Sequence, residues 1–126
     1  MPLGDTRILV VEDDAELLRM ISKLLADVGE VLTAPDGLKA WDLLQQGATP
    51  DLVITDLMMP GMDGLTLSKK MKEDKALSRV PIIMLTAKGT PRDVINGINA
   101  GARHYITKPF KQAELLEKVS RALGRR

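Results

Sequence analysis

The sequence of 126 residues has no cysteine and few aromatic residues, with one Trp, one Tyr and one Phe. The absence of cysteine excludes disulfide bonds, thiolate metal sites and cysteine nucleophiles. No apolar run approaches the roughly 20 residues that span a bilayer, and the N-terminal segment lacks the pattern of a signal peptide. A net charge of +1 gives no electrostatic basis for direct binding to nucleic acid or membranes. We therefore expect a cytoplasmic protein.

Hydrophobic residues make up 44% of the chain, and its length suits one domain with an aliphatic core. Several of the apolar runs are continuous, as expected for strands buried on both faces. Strands alternating with helical patterns predict an α/β fold, in which a parallel sheet is covered by helices on both faces. The five predicted strands are Ile8–Val11, Val31–Ala34, Leu52–Thr55, Ile82–Leu85 and Tyr105–Thr107.

Five helical patterns lie between and after these strands. The first ends at Gly29, a common C-terminal stop, and the second runs from about Gly37 to Gln46. The third follows Gly64, and the fourth opens with a capping box at Thr90 but has a weak body. The fifth is amphipathic, from Lys111 to Leu123, with an apolar face of Leu115, Leu116, Val119 and Leu123. We expect Asp14 and Asp36 to cap the helices that follow them, and Asp63 either to shape its loop or to cap the third helix.

Polar residues follow four of the predicted strands, and parallel strands bring such residues to one edge of a sheet. They are Glu12, Asp13, Asp56, Thr86 and Lys108. Two like charges about 4 Å apart repel by about 4 kcal/mol at an effective dielectric constant near 20, so clustered carboxylates favour a bound cation or a proton. Oxygen ligands without His or Cys favour a hard ion such as Mg²⁺. With a lysine and a hydroxyl, these groups would form a phosphoryl site.

The motifs at these strand ends resemble those of the receiver domains of two-component response regulators, the family of the bacterial chemotaxis regulator. The resemblance covers about residues 7–123, and we expect residues 1–126 to form a single receiver domain. It implies a flavodoxin-like, doubly wound sheet with strand order 2-1-3-4-5 and five helices. The motifs are Ile8–Asp14, Asp51–Asp56 with Met59–Gly64, Pro81–Ala87, Gly101-Ala102, Tyr105 and Lys108-Pro109-Phe110.

The resemblance also implies roles for individual residues. Asp56 matches the phosphoacceptor, which forms an acyl phosphate and is not a catalyst for an external substrate. Glu12 and Asp13 match the pair that holds Mg²⁺, together with Asp56 and the backbone carbonyl of Met58. Thr86 matches the switch hydroxyl, Tyr105 the aromatic that rotates with it, and Lys108 the lysine that pairs with phosphoryl oxygens. The bond between Lys108 and Pro109 is typically cis in this family.

The partners implied are a histidine kinase or histidine phosphotransfer protein and a downstream protein target. The target would bind the face built from the fourth helix, the fifth strand and the fifth helix. Arg103 and His104 stand on this face where the family often has acidic or small polar residues, so we expect it to favour an acidic partner. The alternative readings are a degenerate receiver that binds proteins without phosphorylation and a phosphatase of the haloacid-dehalogenase type. Such phosphatases carry a second Asp at the position of Met58.

Overall fold

The structure is a computed structural model that describes residues 6–47, 49–59, 61–87, 95–96 and 98–124. Five parallel strands form one sheet in the order β2-β1-β3-β4-β5. The predicted α/β class and strand order are confirmed, and each strand ends within one residue of its predicted bounds. The strands are β1 Arg7–Val11, β2 Glu30–Ala34, β3 Leu52–Asp56, β4 Ile82–Thr86 and β5 His104–Thr107.

Four helices are described along their whole length: α1 Ala15–Leu25, α2 Gly37–Gln45, α3 Gly64–Glu73 and α4 Gln112–Ala122. Helix α4 is the fifth predicted helix. The capping box predicted at Thr90 lies outside the described residues. Residues 95–96 and 98–99 of the fourth predicted helix are helical, and the Ala100 amide donates to the Asn96 carbonyl at 3.0 Å. None of the described helices has the length and apolar character needed to cross a membrane.

The core lies in two layers because successive side chains of a strand point to opposite faces of the sheet. Ile8 and Val10 of β1 belong to the layer covered by α1 and α4, whereas Leu9 and Val11 belong to the layer covered by α2 and α3. Strands β3 and β4 are buried at every residue. Full burial of one aliphatic side chain contributes about 1.5–3 kcal/mol, so these central strands anchor the fold.

Three aspartates cap helices, as predicted for Asp14 and Asp36 and as one of the two alternatives for Asp63. The Asp14 carboxylate accepts from the amides of Glu16 and Leu17 at 3.0 and 3.2 Å. Asp36 accepts from the Lys39 amide and Asp63 from the Thr66 amide, both at 2.8 Å. A capping carboxylate satisfies amides that have no partner within the helix and also suits the helix dipole. Asp14 therefore acts at the first turn of α1.

Two predictions about helices are wrong. Helix α1 ends at Leu25, four residues before the predicted stop at Gly29. Gly29 instead lets two chain segments meet, because a Cβ atom there would lie 2.4 Å from the Thr6 carbonyl oxygen. Leu116, predicted on the buried face of the last helix, has 37% of its surface exposed. An apolar residue near the edge of a helical stripe can be left uncovered by the neighbouring elements.

Candidate functional site

The carboxyl ends of the central strands bring the predicted polar residues together. Val11 lies opposite Thr55 in the sheet, so Glu12 and Asp56 come next to each other along β1 and β3. Asp56 is the last residue of β3, and Thr86 is the last residue of β4. The Lys108 amide donates to the Thr86 carbonyl at 2.6 Å, which holds the end of β5 beside β4. The sheet register thus builds the site.

Lys108 connects two of the carboxylates. Its ammonium lies 2.7 Å from Glu12 Oε1 and 3.1 Å from Asp56 Oδ2. Glu12 is 1% exposed and Asp56 is 7% exposed, so both carboxylates are largely withdrawn from water. The second Glu12 oxygen, Oε2, accepts from the Asp14 amide at 3.0 Å. Charged hydrogen bonds of this kind are strong where water is excluded.

The protonation behaviour of the pair follows from this burial. Burial raises the pKa of Glu12 to about 7, although the hydrogen bond from Lys108 and the one from the Asp14 amide both oppose the rise. The charge on Asp56 adds to it. Burial lowers the pKa of Lys108, but the hydrogen bond to Glu12 and the charge of Asp56 outweigh burial, and the pKa is raised above 10.5. Lys108 is therefore a fixed positive charge, whereas burial makes the Glu12 carboxylate easier to protonate than an exposed one.

Glu12, Asp13 and Asp56 form a cluster that could hold a metal ion. Each offers one carboxylate oxygen, and these oxygens lie within 4.8 Å of one another. Asp13 is exposed and the other two are buried, so the cluster opens to solvent on one side. A set of carboxylate oxygens that retains access to water suits Mg²⁺, which keeps part of its hydration shell. The donor set therefore fits the ion expected from the sequence.

A cleft of about 540 Å³ opens beside this cluster. Its lining includes Asp56, Thr86 and Lys108 from three different strand ends, together with Asp13, Leu57, Met58 and Ala87. Thr86 is only 2% exposed, whereas Met58 is 73% exposed. The cleft can admit a small anionic group, which would meet one ammonium group and one hydroxyl.

The family resemblance also made predictions about Tyr105, Pro109 and Met58. Tyr105 does not line the cleft: it lies opposite Met84 in the sheet, two residues before the end of β5, and its half-buried ring packs against the core. The bond between Lys108 and Pro109 is cis. Met58 follows Asp56 by two residues in the loop after β3. The structure thus brings the acidic residues, Thr86 and Lys108 together, whereas Tyr105 is not part of the cleft lining.

A second and more apolar cleft of about 680 Å³ adjoins the first and shares Ala87 and Lys108 with it. This cleft was not predicted from the sequence. The apolar residues Leu17 and Met20 of α1 line this cleft and are only half-buried. Phe110 lines it as well. The available signal was the set of apolar residues in the first turns of α1. Periodicity alone does not show which of them stay uncovered.

A doubly wound parallel sheet with clustered carboxylates, a threonine and a lysine at its carboxyl edge defines an α/β domain suited to binding a phosphoryl group. Residues 8–120 match the response regulator receiver domain family. The chain is 40% identical over 120 residues to the chemotaxis protein CheY1 of Helicobacter pylori, covering 94% of this chain and 97% of that protein. The chain belongs to the response regulator receiver domain family.

Solved structures of a response regulator and of a receiver domain have the same fold. A putative response regulator from Chloroflexus aurantiacus matches with a TM-score of 0.89 at 36% identity, over 95% of this chain and 98% of that one. The receiver domain of the sensor histidine kinase PA1611 from Pseudomonas aeruginosa matches with a TM-score of 0.86 at 32% identity, over 96% and 98% of the two chains. That structure holds a magnesium ion in its active-site cleft. The present chain is accordingly a phosphoacceptor switch of two-component signalling, and a signalling domain rather than an enzyme with an external substrate.

Proposed function

We propose that Asp56 is the phosphoacceptor of this switch. The observation that carries the proposal is the bridge from Lys108 to Glu12 and Asp56, since it places a fixed cation beside a nearly buried carboxylate at the edge of a cleft. An Asp56 oxygen attacks the phosphorus of a phosphohistidine on the donor. The P–N bond breaks as the acyl phosphate forms, and the imidazole leaves with the electron pair and takes up a proton. Receiving the phosphoryl group and losing it to water are the only reactions we assign to the chain.

The other residues stabilise the charge that arrives. Glu12, Asp13, Asp56 and the backbone carbonyl of Met58 would hold Mg²⁺, which would neutralise the clustered carboxylates and the phosphoryl oxygens. Lys108 moves from the Asp56 carboxylate to a phosphoryl oxygen without leaving the cleft. The hydroxyl of Thr86 donates to a second phosphoryl oxygen. Charge stabilisation of this kind supplies most of the assistance that phosphoryl transfer needs.

We place the readout at the face of the fourth predicted helix, β5 and α4. Thr86 ends β4, and Tyr105 lies on the adjacent β5, so displacement of the hydroxyl opens space toward the ring. Ring rotation then changes the surface presented to the target protein. The partner that supplies the phosphoryl group is a histidine kinase or histidine phosphotransfer protein. It approaches across the second cleft, where Leu17, Met20 and Phe110 offer apolar contacts. The cytoplasmic location stays a prediction.

Incubation with acetyl phosphate and Mg²⁺, followed by intact-mass measurement, tests the assignment. We expect one labile phosphoryl adduct on the wild type and none on Asp56→Asn. Asp42→Asn, which changes an exposed aspartate of α2, is the matched control and keeps the adduct. Absence of an adduct on the wild type would instead support the phosphorylation-independent binding module. Rapid multiple turnover of acetyl phosphate would support the phosphatase, for which Met58 lacks the required acid.

A further inference from the structure

The loop between β3 and α3 is tied at both ends. We name its residues 57–59 and 61–63 the acceptor loop. The Leu57 amide donates to the Leu85 carbonyl at 2.7 Å, and the Gly64 amide donates to the Leu57 carbonyl at 3.0 Å. The Met58 side chain is 73% exposed, so packing of this side chain does not fix the position of its backbone carbonyl. Contacts elsewhere on the acceptor loop must fix it.

The far side of the acceptor loop rests on the first turn of α2. Gly37 is buried, and a Cβ atom on it would overlap the Met62 carbonyl oxygen and lie 2.9 Å from Met62 Cβ. Gly61 has a φ of 76°, and a Cβ atom on it would lie 3.1 Å from Leu38 Cδ1. Glycine allows such close approaches because it lacks a Cβ atom. Two successive residues of α2 thus contact two successive residues of the acceptor loop.

Helix α2 is held more firmly than the acceptor loop. The Asp36 side chain caps the helix by accepting from the Lys39 amide at 2.8 Å, and Ala40 and Leu44 are buried in the core. A methyl group added at Gly37 would meet backbone atoms rather than the end of a flexible side chain, so one of the two backbones must shift. The acceptor loop is the one that shifts, because the helix is both capped and buried.

We infer that the first turn of α2, through Gly37 and Leu38, positions the acceptor loop, and with it the Met58 carbonyl, for binding Mg²⁺. This inference rests on the proposed function, which assigns that carbonyl to the ion. Since the loop is tied at both ends, a displacement at Met62 is passed on to Met58. Mg²⁺ requires near-ideal octahedral geometry, so a small displacement of one ligand weakens its binding. Gly37 and Leu38 are not among the residues that line the cleft, so they act through the loop.

The test compares Gly37→Ala with Gly29→Ala as the matched control. Each variant adds one methyl group where a Cβ atom overlaps a backbone carbonyl oxygen, that of Met62 or that of Thr6. Thr6 and Gly29 directly precede β1 and β2, at the opposite edge of the sheet from the phosphoryl site. Both variants should therefore lose stability in urea unfolding, but only Gly37→Ala should disturb the acceptor loop.

Calorimetric titration of the unphosphorylated protein with Mg²⁺ measures the first effect. The dissociation constant should rise about tenfold in Gly37→Ala, as for other changes in residues that orient metal ligands. It should stay at the wild-type value in Gly29→Ala. Leu38→Ala changes a side chain that is 54% exposed, so this variant should fold even if Gly37→Ala does not, and it should also raise the dissociation constant.

Hydrogen exchange followed by NMR gives a readout that does not depend on the ion. The Gly64 amide should exchange faster in Gly37→Ala and in Leu38→Ala than the global stability of each variant predicts, because its bond to the Leu57 carbonyl closes the acceptor loop. In Gly29→Ala the exchange rate of this amide should follow global stability alone.

The outcomes separate this inference from the proposed function. A wild-type dissociation constant in folded Gly37→Ala, or in Leu38→Ala where Gly37→Ala does not fold, would overturn the inference. An equal rise in Gly29→Ala would also overturn it, since the effect would then follow from lost stability. A wild type that binds no Mg²⁺ would refute the metal assignment of the proposed function, while exchange of the Gly64 amide would still decide whether α2 positions the loop. Intact mass after acetyl phosphate treatment reports the adduct on Asp56 separately.

Discussion

Met58 lies beside Asp56, the phosphoacceptor proposed above, both in the sequence and in the lining of the cleft. Its side chain is 73% exposed and lines the cleft of Asp56, where an attacking water must pass. We expect a flexible, apolar side chain there to obstruct water without orienting it. The sequence also places Lys88 near Thr86, but Lys88 lies outside the described residues.

We expect Met58→Asn to shorten the lifetime of the acyl phosphate several-fold, because a smaller amide clears the path and can hydrogen-bond a water. Intact-mass measurements at intervals after removal of acetyl phosphate give the lifetime. Leu116→Asn, which changes an exposed apolar residue of α4, should leave it unchanged. Equal lifetimes for wild type and Met58→Asn would show that this side chain does not control access.

Ser68 is a polar residue whose buried hydroxyl is left without a hydrogen bond in the described part of the structure. It is fully buried in α3, and its hydroxyl has no hydrogen-bond partner among the described residues. Ser68→Ala should raise the free energy of unfolding by about 1 kcal/mol, because it removes an unpaired buried hydroxyl and improves helix propensity. Ser22→Ala is the contrasting variant, since the Ser22 hydroxyl donates to the Leu18 carbonyl at 2.7 Å. Urea unfolding measures both, and a loss of stability in Ser68→Ala would contradict the expectation.

His104 makes stability depend on pH. Burial and nearby cations lower its pKa below 6.5 in the folded protein, so the unfolded chain takes up the proton first as the pH falls. His104 thus removes stability as the pH falls below 6.5 through the lowered pKa. His104→Gln should gain stability relative to the wild type at about pH 5 compared with about pH 7.5, as measured by urea unfolding. The same stability difference at both pH values would refute this.

At the scale of secondary-structure elements, two neighbouring aspartates between β1 and α1 have different roles. Asp14 caps α1, and its own amide donates to Glu12 Oε2. Asp13 is exposed and contributes an oxygen to the acidic cluster. Adjacent residues with the same side chain therefore serve the helix and the site separately.

Asp14→Ala should lower the free energy of unfolding by about 1 kcal/mol through loss of the cap and still allow phosphorylation. Asp13→Ala should not lose stability, because it relieves repulsion among carboxylates. Its phosphorylation by acetyl phosphate should no longer depend on Mg²⁺. Urea unfolding and intact mass after acetyl phosphate treatment measure the two properties. A shared phenotype, in which both variants lose the same property, would contradict the division of roles.

The whole molecule should gain stability from the ion, since the fold assembles the acidic cluster and the unfolded chain does not. At a concentration of Mg²⁺ ten times its dissociation constant, binding to the folded state alone contributes about 1.4 kcal/mol. The melting temperature should then rise by roughly 5 °C. Asp42→Asn should retain the rise and Asp13→Asn should lose it, with NaCl at matched ionic strength as the salt control. An equal rise in NaCl would refute specific binding.

The prediction of the fold from sequence succeeded where the signal is local. Continuous apolar runs predict buried parallel strands, and the polar residues that follow them meet because the strands run in one direction. The stop at Gly29 and the burial of Leu116 were wrong, since both depend on segments distant in sequence. The cleft lined by Leu17 was missed for the same reason.

The sequence by itself determined the class of fold and the chemical groups at its carboxyl edge, because strand periodicity and strand-end position are properties of short segments. Only the tertiary structure decided how those groups interact. Lys108 reaches Glu12 across 96 positions and Asp56 across 52, and the burial that raises the pKa of Glu12 exists only after these segments meet.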